Sequence, residues 1–567
     1  MPQADTIHIN NKAAAANTYD AIVIGSGITG GWAAKELCEK GLKVLMIERG
    51  GPVQHPNYPT AALDPWDFEH HNRRTNALKE NYPIQCRHYS IGEDNQHFYV
   101  EDLKNPYVEH QRYDWVRADV VGGRSLLWGR LSWRWSDLDY EANAKDGAGV
   151  DWPIRYKDLE PWYTYVEKVV GVSGNRDGLD IIPDGYFQPP MEMTCVEKDF
   201  AAKMKTKMNR PVIMGRTANL TAPVKGRGVC QYRNLCHRGC PYGAYFSTNA
   251  STLPSAFETG NLTLKTNALV HQIIYDEKSQ KAKGVEIIDK DSLLTEVFEA
   301  KLIFLNASTL GSTQILLNSV SSRFPNGLGN DSDQIGRNIM DHHKHGGASA
   351  VVEGFEDKYY YGRRPNGIYI PRFRNLGDDK KDYLRGFGVQ GGASRGRAQI
   401  DQEVFGAVLK EKYGELGTWR ISLGAYGECL PYADNRVTIS KDKKDHWGIP
   451  ALEFDVSFKE NEKAMHMDMV NACVEMLEVA GYKDVKPTDD MSAPGNANHE
   501  MGSARMGRDP KTSVLNGFNQ MHDVKNVFIT DGSCMASNGC LNPSLTYMAL
   551  TARAVDYAVK ALNKMEI

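Results

Sequence analysis

No apolar run in this 567-residue chain approaches the roughly eighteen residues of a membrane span, so no direct span is expected. Charge of one sign is also missing. Lys and Arg number 67 against 71 Asp and Glu, a formal net charge of −4, which provides no field for a nucleic-acid or acidic-membrane partner. The first nineteen residues are polar and alanine-rich, without a basic segment leading into an apolar one, so no export signal is expected there. Internal repeats and low-complexity tracts are absent. Cysteine is sparse, ten residues in all, which argues for reduced thiols and makes any tight cluster more a metal site than a disulfide frame. What is present, 41% hydrophobic and 24% charged residues, suits a soluble globular protein, and the length calls for two domains or more.

The stretch Asp20 to Gly51, DAIVIGSGITGGWAAKELCEKGLKVLMIERGG, reads as strand, turn and helix. A short apolar run, Ala21 to Ile24, breaks into Gly25, Gly27 and Gly30 at the spacing of a dinucleotide-binding turn. There Gly25 permits the tight bend, Gly27 lets backbone approach a pyrophosphate, and Gly30 lets the helix pack on the strand. Free amides at the helix start then face the phosphates. The next apolar run, Val44 to Ile47, ends in Glu48, suited to the two hydroxyls of an adenosine ribose. An ordinary tight connection would not explain Glu48. The turn alone does not separate FAD from NAD.

The expected organisation is a loose tail over 1–18, a dinucleotide domain with insertions over 19–345, a substrate domain over 346–490, and a return to the first domain over 491–567. Residues 52–112, rich in Pro, Asn, His and Tyr, read as an excursion over the surface or across the cofactor. In VVGGRSLLWGRLSWRW, Gly122, Gly123 and Ser125 again admit close backbone approach, and Trp128, Trp133 and Trp135 can either wall off an apolar site or lie in the core. Residues 261–299 alternate like a hairpin or meander. Residues 346–490 alternate too, with one helix from Lys459 to Ala480, which predicts a mostly antiparallel sheet.

Within 226–246, Cys230, Cys236 and Cys240 stand as C-x5-C-x3-C, followed by Pro241, in a turn-rich stretch that makes poor core sequence. Thiolates this close either pair or hold a soft metal. Three suit a 3Fe–4S cluster, one per iron, whereas zinc needs a fourth ligand, for which His237 is the local candidate. Unligated thiols are the bland alternative.

Six blocks in order, GSGITGG with Glu48, VVGGRS, ASTLGSTQILLNS, ECLPYADNRVTIS, NHEMGSARMG and VFITDGSCMASNGCLNPSLTYMALTARA, carry a resemblance over nearly the whole chain. The chain resembles the glucose-methanol-choline family of flavin oxidoreductases. The resemblance implies an α/β fold, with a discontinuous Rossmann-like FAD domain and a substrate domain over the isoalloxazine. It implies hydride transfer from an alcohol carbon to the flavin, with the active-site pair on His499 and Asn542. An alcohol, with a pKa of roughly 15.7 against roughly 6.5 for histidine, would cost about 12 kcal/mol to deprotonate first. Proton and hydride departure are therefore coupled, His499 taking the proton and Asn542 orienting the hydroxyl. Many relatives have a second histidine at Asn542; the His/Asn pairing resembles the pyranose- and sterol-oxidising branches and argues away from a glucose-oxidase-like enzyme.

Asn542 precedes Pro543 and an apolar-periodic run, the pattern of a helix N-cap with proline first. A helix starting at Pro543 would direct its positive end at the flavin's pyrimidine edge. Asp531 matches the family position near the ribityl and phosphate groups. Where some sugar-oxidising relatives carry a histidine bonded to the flavin this chain has Leu127, so noncovalent FAD is expected.

The cysteine run resembles that of the flavin subunits of membrane-linked bacterial sugar dehydrogenases. The expected enzyme is an FAD-dependent sugar or glycoside dehydrogenase, acting on C3 of a glucoside by preference, with electrons passing through a 3Fe–4S cluster to an external haem or quinone. Its expected partners are a small signal-bearing subunit and a c-type haem subunit. It would fold in the cytoplasm, then remain there or cross to the periplasm with the signal-bearing partner. The rival is an oxygen-using C-glycoside or pyranose oxidase with structural cysteines. A flavin-bearing carrier without its own substrate is disfavoured, because a carrier needs no alcohol base.

Overall fold

Strand β1 (Thr18–Ile24) lies at the centre of a seven-stranded sheet in a computed structural model that describes residues 17–398, 400 and 404–567. Of the expected tail, 1–16 lie outside the described residues, and Thr18 already opens β1. The run Ala21–Ile24 is apolar throughout because both faces of the strand are covered. β1 pairs in parallel with β2 (Val44–Ile47) and with the strand Thr295–Leu305. Leu262–Lys265 extends the parallel set beyond β2, and Val527–Ile529 pairs with the last residues of Thr295–Leu305. The first residues of that long strand pair instead with Lys281–Asp289, which pairs with Ala268–Asp276, an antiparallel meander. The parallel strands therefore share a carboxyl edge, where Gly25, Glu48, Asn306 and Asp531 follow strand ends. In open parallel sheets that edge is where ligands bind.

Helix α1 (Ile28–Glu39) covers one face through Ala33, Ala34 and Leu37, and the C-terminal helix Ser544–Asn563 adds Ala554, Val555 and Ala558 to the same core. The second sheet is six-stranded and antiparallel throughout, in the order Lys483–Asp489, His343–Val352, Leu416–Gly427, Phe387–Arg397, Ile368–Ile370, Ile213–Met214. Helix Glu460–Val479 lays Met465, Met469, Cys473 and Met476 on it against Ala348, Ala350 and Ile421. This sheet takes in His343 to His345 and recruits the remote edge strand Ile213–Met214. A three-stranded sheet of Arg436–Lys444, Pro450–Asp455 and Val108–Glu109 packs Val437, Leu452 and Phe454 against Tyr113, Trp115 and Leu310. It thus joins the segment 436–455 to residues of the 19–345 segment.

Trp133 and Trp135 are fully buried core residues, whereas Trp128 is partly exposed and donates through Nε1 to the Phe246 carbonyl at 2.9 Å. Among the described residues no helix is long and apolar enough to cross a membrane.

Candidate active site

A cavity of about 470 Å³ runs from the carboxyl edge of the parallel sheet to the start of the C-terminal helix, with Trp128 and Leu127 in its wall. At one end is the glycine turn. Gly25 has φ +92°, open to glycine at no cost, and a Cβ on Gly30 would stand 1.9 Å from the Gly25 carbonyl oxygen. A Cβ on Gly27 would meet nothing within 4 Å, so here backbone faces open space. Gly122 (φ +93°) and Gly123 (φ +49°) lie over the turn: a Cβ on Gly123 would sit 3.4 Å from Gly27 Cα, and one on Gly122 would strike Asn249 Oδ1 at 1.8 Å.

Ser26 links these two glycine segments. Its Oγ accepts from Gly122 N at 2.8 Å and donates to Glu48 Oε2 at 2.6 Å. Glu48 also accepts from Ser26 N (2.9 Å) and Gly50 N (2.8 Å), so three of about four lone-pair directions are used and one on Oε1 is spare. Burial raises its pKa against the pull of those donors. The Ser125 hydroxyl accepts from Thr248 N at 3.1 Å. Asp531 is tied down by Ser312 Oγ (2.5 Å), Ser533 Oγ (2.5 Å) and Ser533 N (3.0 Å), so it shapes the cavity wall. Buried polar atoms without protein partners line the same cavity, among them Asn306 Nδ2, Asn498 Oδ1 and Tyr547 Oη. An elongated cradle of bare backbone with unpaired donors and acceptors fits a dinucleotide such as FAD.

At the other end His499 Nε2 lies 3.3 Å from Asn542 Nδ2. The Asn542 side chain does not cap the helix. The helix begins at Ser544 with Pro543 as its cap residue and no side-chain cap bond, and Asn542 Oδ1 instead accepts from Gln390 Nε2 at 3.1 Å. The N-cap pattern in the sequence marks the helix start but not the use of this side chain. Pro543 and Ser544 line the cavity, bringing the helix's positive end to it.

Behind His499 stands His342, which sequence reading passed over. His342 Nε2 is 2.5 Å from the Gly539 carbonyl, which can only accept, so this nitrogen carries the hydrogen. Burial lowers His342 to about 4, so it is neutral near pH 7 and its Nδ1 is bare. His499 Nδ1, 3.1 Å away, must then be the donor, and His499, held well below the usual imidazole range by burial and by His342, Lys344 and Arg124, has its free lone pair on Nε2. The amide chain from Gln390 through Asn542 independently presents a donor to that nitrogen. Asp341 anchors the backbone of both histidines: Oδ1 accepts from His342 N (2.9 Å) and His499 N (3.0 Å), and Oδ2 from Ala497 N (3.1 Å). Asp341, His342 and His499 are close enough to surround a cation, but His499 Nδ1 carries a hydrogen and the lone pair of His342 Nδ1 accepts it, so these two facing nitrogens are taken up by each other. The run DHH at 341–343 was the available signal.

GMC oxidoreductase family models match residues 19–344 and 431–551. The chain belongs to the GMC oxidoreductase family. It is an FAD-dependent oxidoreductase of CH–OH donors, with the Rossmann-like FAD domain and mostly antiparallel substrate domain expected from the sequence. It is 27% identical to 2-methyl-1,2-propanediol dehydrogenase of Mycolicibacterium austroafricanum, covering 96% of this chain and 95% of that one. It is equally 27% identical to the fructose dehydrogenase large subunit of Gluconobacter japonicus, over 96% and 98%. Among solved structures, pyridoxine 4-oxidase from Mesorbium loti aligns with a TM-score of 0.61 at 16% identity, over 95% of this chain and 99% of that one, and shares the fold.

In this GMC oxidoreductase the three clustered cysteines, Cys230, Cys236 and Cys240, line one small second cavity, and none of them is in a disulfide. Burial raises Cys230, and the neighbouring Cys236 and Cys240 raise it further. The loop winds tightly, with positive φ at Tyr232, Asn234, Gly239 and Gly243. His237 Nε2 lies 2.6 Å from Asp94 Oδ2, a contact that fixes the ring and leaves Nδ1 uncommitted. Pro365 lines both cavities. Between them Arg130, on the main cavity, lies 5.3 Å from the ring centre of Tyr245, which lines the second.

Proposed function

We propose that this enzyme oxidises a ring hydroxyl of a sugar or glycoside, C3 of a glucoside by preference, to the ketone. The observation that carries this reading is His499 Nε2, unprotonated and 3.3 Å from Asn542, facing the cavity. Bound FAD supplies the acceptor for the hydride that leaves the alcohol carbon. His499 Nε2 takes the hydroxyl proton, and the resulting positive charge is shared with His342 through the Nδ1 contact. Asn542, held by Gln390, orients the hydroxyl.

We read the three thiols on this one small cavity as the holders of a 3Fe–4S cluster, Cys230, Cys236 and Cys240 taking one iron each. Such a cluster supplies one-electron transfer toward an external haem or quinone, which is useful when two electrons must leave singly. The similarity to a protein named a large subunit supports assembly with partners, here a small signal-bearing subunit and a c-type haem subunit. Cluster assembly needs the reducing cytoplasm, so the chain would fold there and either remain or be co-exported to the periplasm.

A visible spectrum of purified protein, iron and labile-sulfide assays, and turnover with dye or haem acceptors against oxygen test this together. Iron present with fast dye and slow oxygen turnover is expected. An iron-free protein that forms hydrogen peroxide as fast as it consumes sugar replaces this reading with the oxidase one.

A further inference from the structure

Most buried cations elsewhere among the described residues meet a carboxylate, and Arg227 and Arg505, which do not, donate to carbonyl oxygens. Lys35 Nζ meets Glu36 at 3.0 Å and Glu39 at 2.8 Å, Arg134 meets Glu167 at 2.6 Å, and Arg372 meets Glu428 at 2.9 Å. Lys344 departs from this pattern. It is 5% exposed and lines the main cavity, its backbone N donates to Ser492 Oγ, and its Nζ makes no hydrogen bond and has no carboxylate within 4 Å among the described residues. The carboxylates that act on it from a distance are engaged elsewhere: Asp341 by three backbone amides, and Asp114 by Arg112 at 3.0 Å and Asn496 at 2.8 Å. Its nearest counterpart is the ring of Tyr89, 5.4 Å from Nζ, and Tyr89 is 77% exposed at the cavity mouth. The stem of Lys344 is buried while its ammonium opens into the cavity without a protein partner, which leaves it free to meet an anion that enters there.

The backbone is arranged to aim this side chain. The strand His343–Val352 loses register between His343 and Gly346, where His345 takes φ +71°. A bulge of this kind beside a site redirects a side chain. His343 is buried on the other side while Lys344 opens into the cavity. Tyr426 lines the same cavity, its ring 6.4 Å from that of His499.

We propose that Lys344 binds a carboxylate of the substrate, so that the site takes a carboxylate-bearing sugar or glycoside, a uronic acid or one with an acid in its aglycone. This rests on the reading of the cavity as the site of alcohol oxidation. One ammonium matches one negative charge; a phosphate dianion would leave a charge unmatched, and such groups collect several cations or amides.

The test uses FAD-loaded wild type, Lys344→Met and Lys344→Arg, with methyl glucoside and methyl glucuronide, which differ only in replacing the C6 alcohol by a carboxylate. Anaerobic flavin reduction is expected to favour the glucuronide by at least about tenfold in wild type, to lose that preference in Lys344→Met, and to keep most of it in Lys344→Arg. Wild type that reduces as fast with the neutral glucoside overturns the proposal. So does a Met variant slowed equally with both, since the ammonium then serves the cofactor or the fold. Calorimetric binding of glucuronate separates this proposal from the oxidation reading. If neither sugar reduces the flavin but glucuronate binds wild type and not the Met variant, carboxylate recognition stands and sugar oxidation falls. If glucuronate binds wild type no better than methyl glucoside, the proposal falls whatever the oxidation result.

Discussion

His342 and His499 meet Nδ1 to Nδ1 at 3.1 Å, and this contact decides which nitrogen of the proposed base is free. Two neutral imidazoles in contact must be one donor and one acceptor. The Gly539 carbonyl, 2.5 Å from the far nitrogen of His342, makes His342 the acceptor. His499 is thereby held with Nε2 bare toward Asn542, before any substrate enters.

Replacing His342 by Phe removes the acceptor and lets His499 adopt the other tautomer. Flavin reduction is expected to slow by about ten- to a hundredfold, short of losing the base altogether, while substrate affinity stays within a few-fold. His342→Asn, which retains an acceptor oxygen, should recover part of the rate. Nitrogen-15 NMR of His499 reports the tautomer directly, and an unchanged spectrum in the Phe variant would show that something else sets it.

His499→Ala should lower stopped-flow flavin reduction by roughly 10² to 10⁴ while FAD stays bound. Asn542→Ala should cost less, because the amide orients the hydroxyl and does not accept the proton. Reduction of the His499 variant within a few-fold of wild type removes His499 from the role.

The pH profile of reduction follows from the depressed pKa of His499. A base works when unprotonated, and a folded pKa below 6.5 means that protonation, with loss of rate, sets in only below that pH. The acid limb due to His499 is therefore expected below pH 6.5. A limb near pH 7 that survives Asp341→Asn would contradict the buried, neutral ring, whereas one that this change abolishes belongs to Asp341, whose carboxyl burial raises to about 7.

Acid precipitation should release yellow flavin into the supernatant. Leu127 stands in the cavity wall and its hydrocarbon side chain cannot bond the flavin. Flavin retained in the denatured pellet would require a different linking residue.

Cys236→Ser should lose iron and haem reduction while sugar still reduces the flavin at close to the wild-type rate, because the cysteines line a separate cavity. Parallel loss of both activities would mean that the loop supports the main site structurally.

Much of the fold was legible in the chain. The run Ala21–Ile24, the glycine turn and Glu48 are local in sequence, and strand, turn and helix form where they were expected. The helix expected from Lys459 to Ala480 is observed at Glu460–Val479, since its apolar spacing matches the sheet it covers. Less legible was the use of each side chain. Asn542 has the pattern of a cap, yet its amide turns to Gln390, 152 positions away.

By itself the sequence determined the family and the turn chemistry, because glycine positions, apolar runs and the order of blocks need only near neighbours to have meaning. Tertiary structure alone decided the proton positions and the charges left unpaired. His342 and His499 are 157 positions apart, and the tautomer of one depends on a carbonyl at Gly539, brought to it by a third segment. Whether Lys344 is paired depends on where every carboxylate of the fold has gone. These relations involve segments remote in sequence, and no local pattern encodes them.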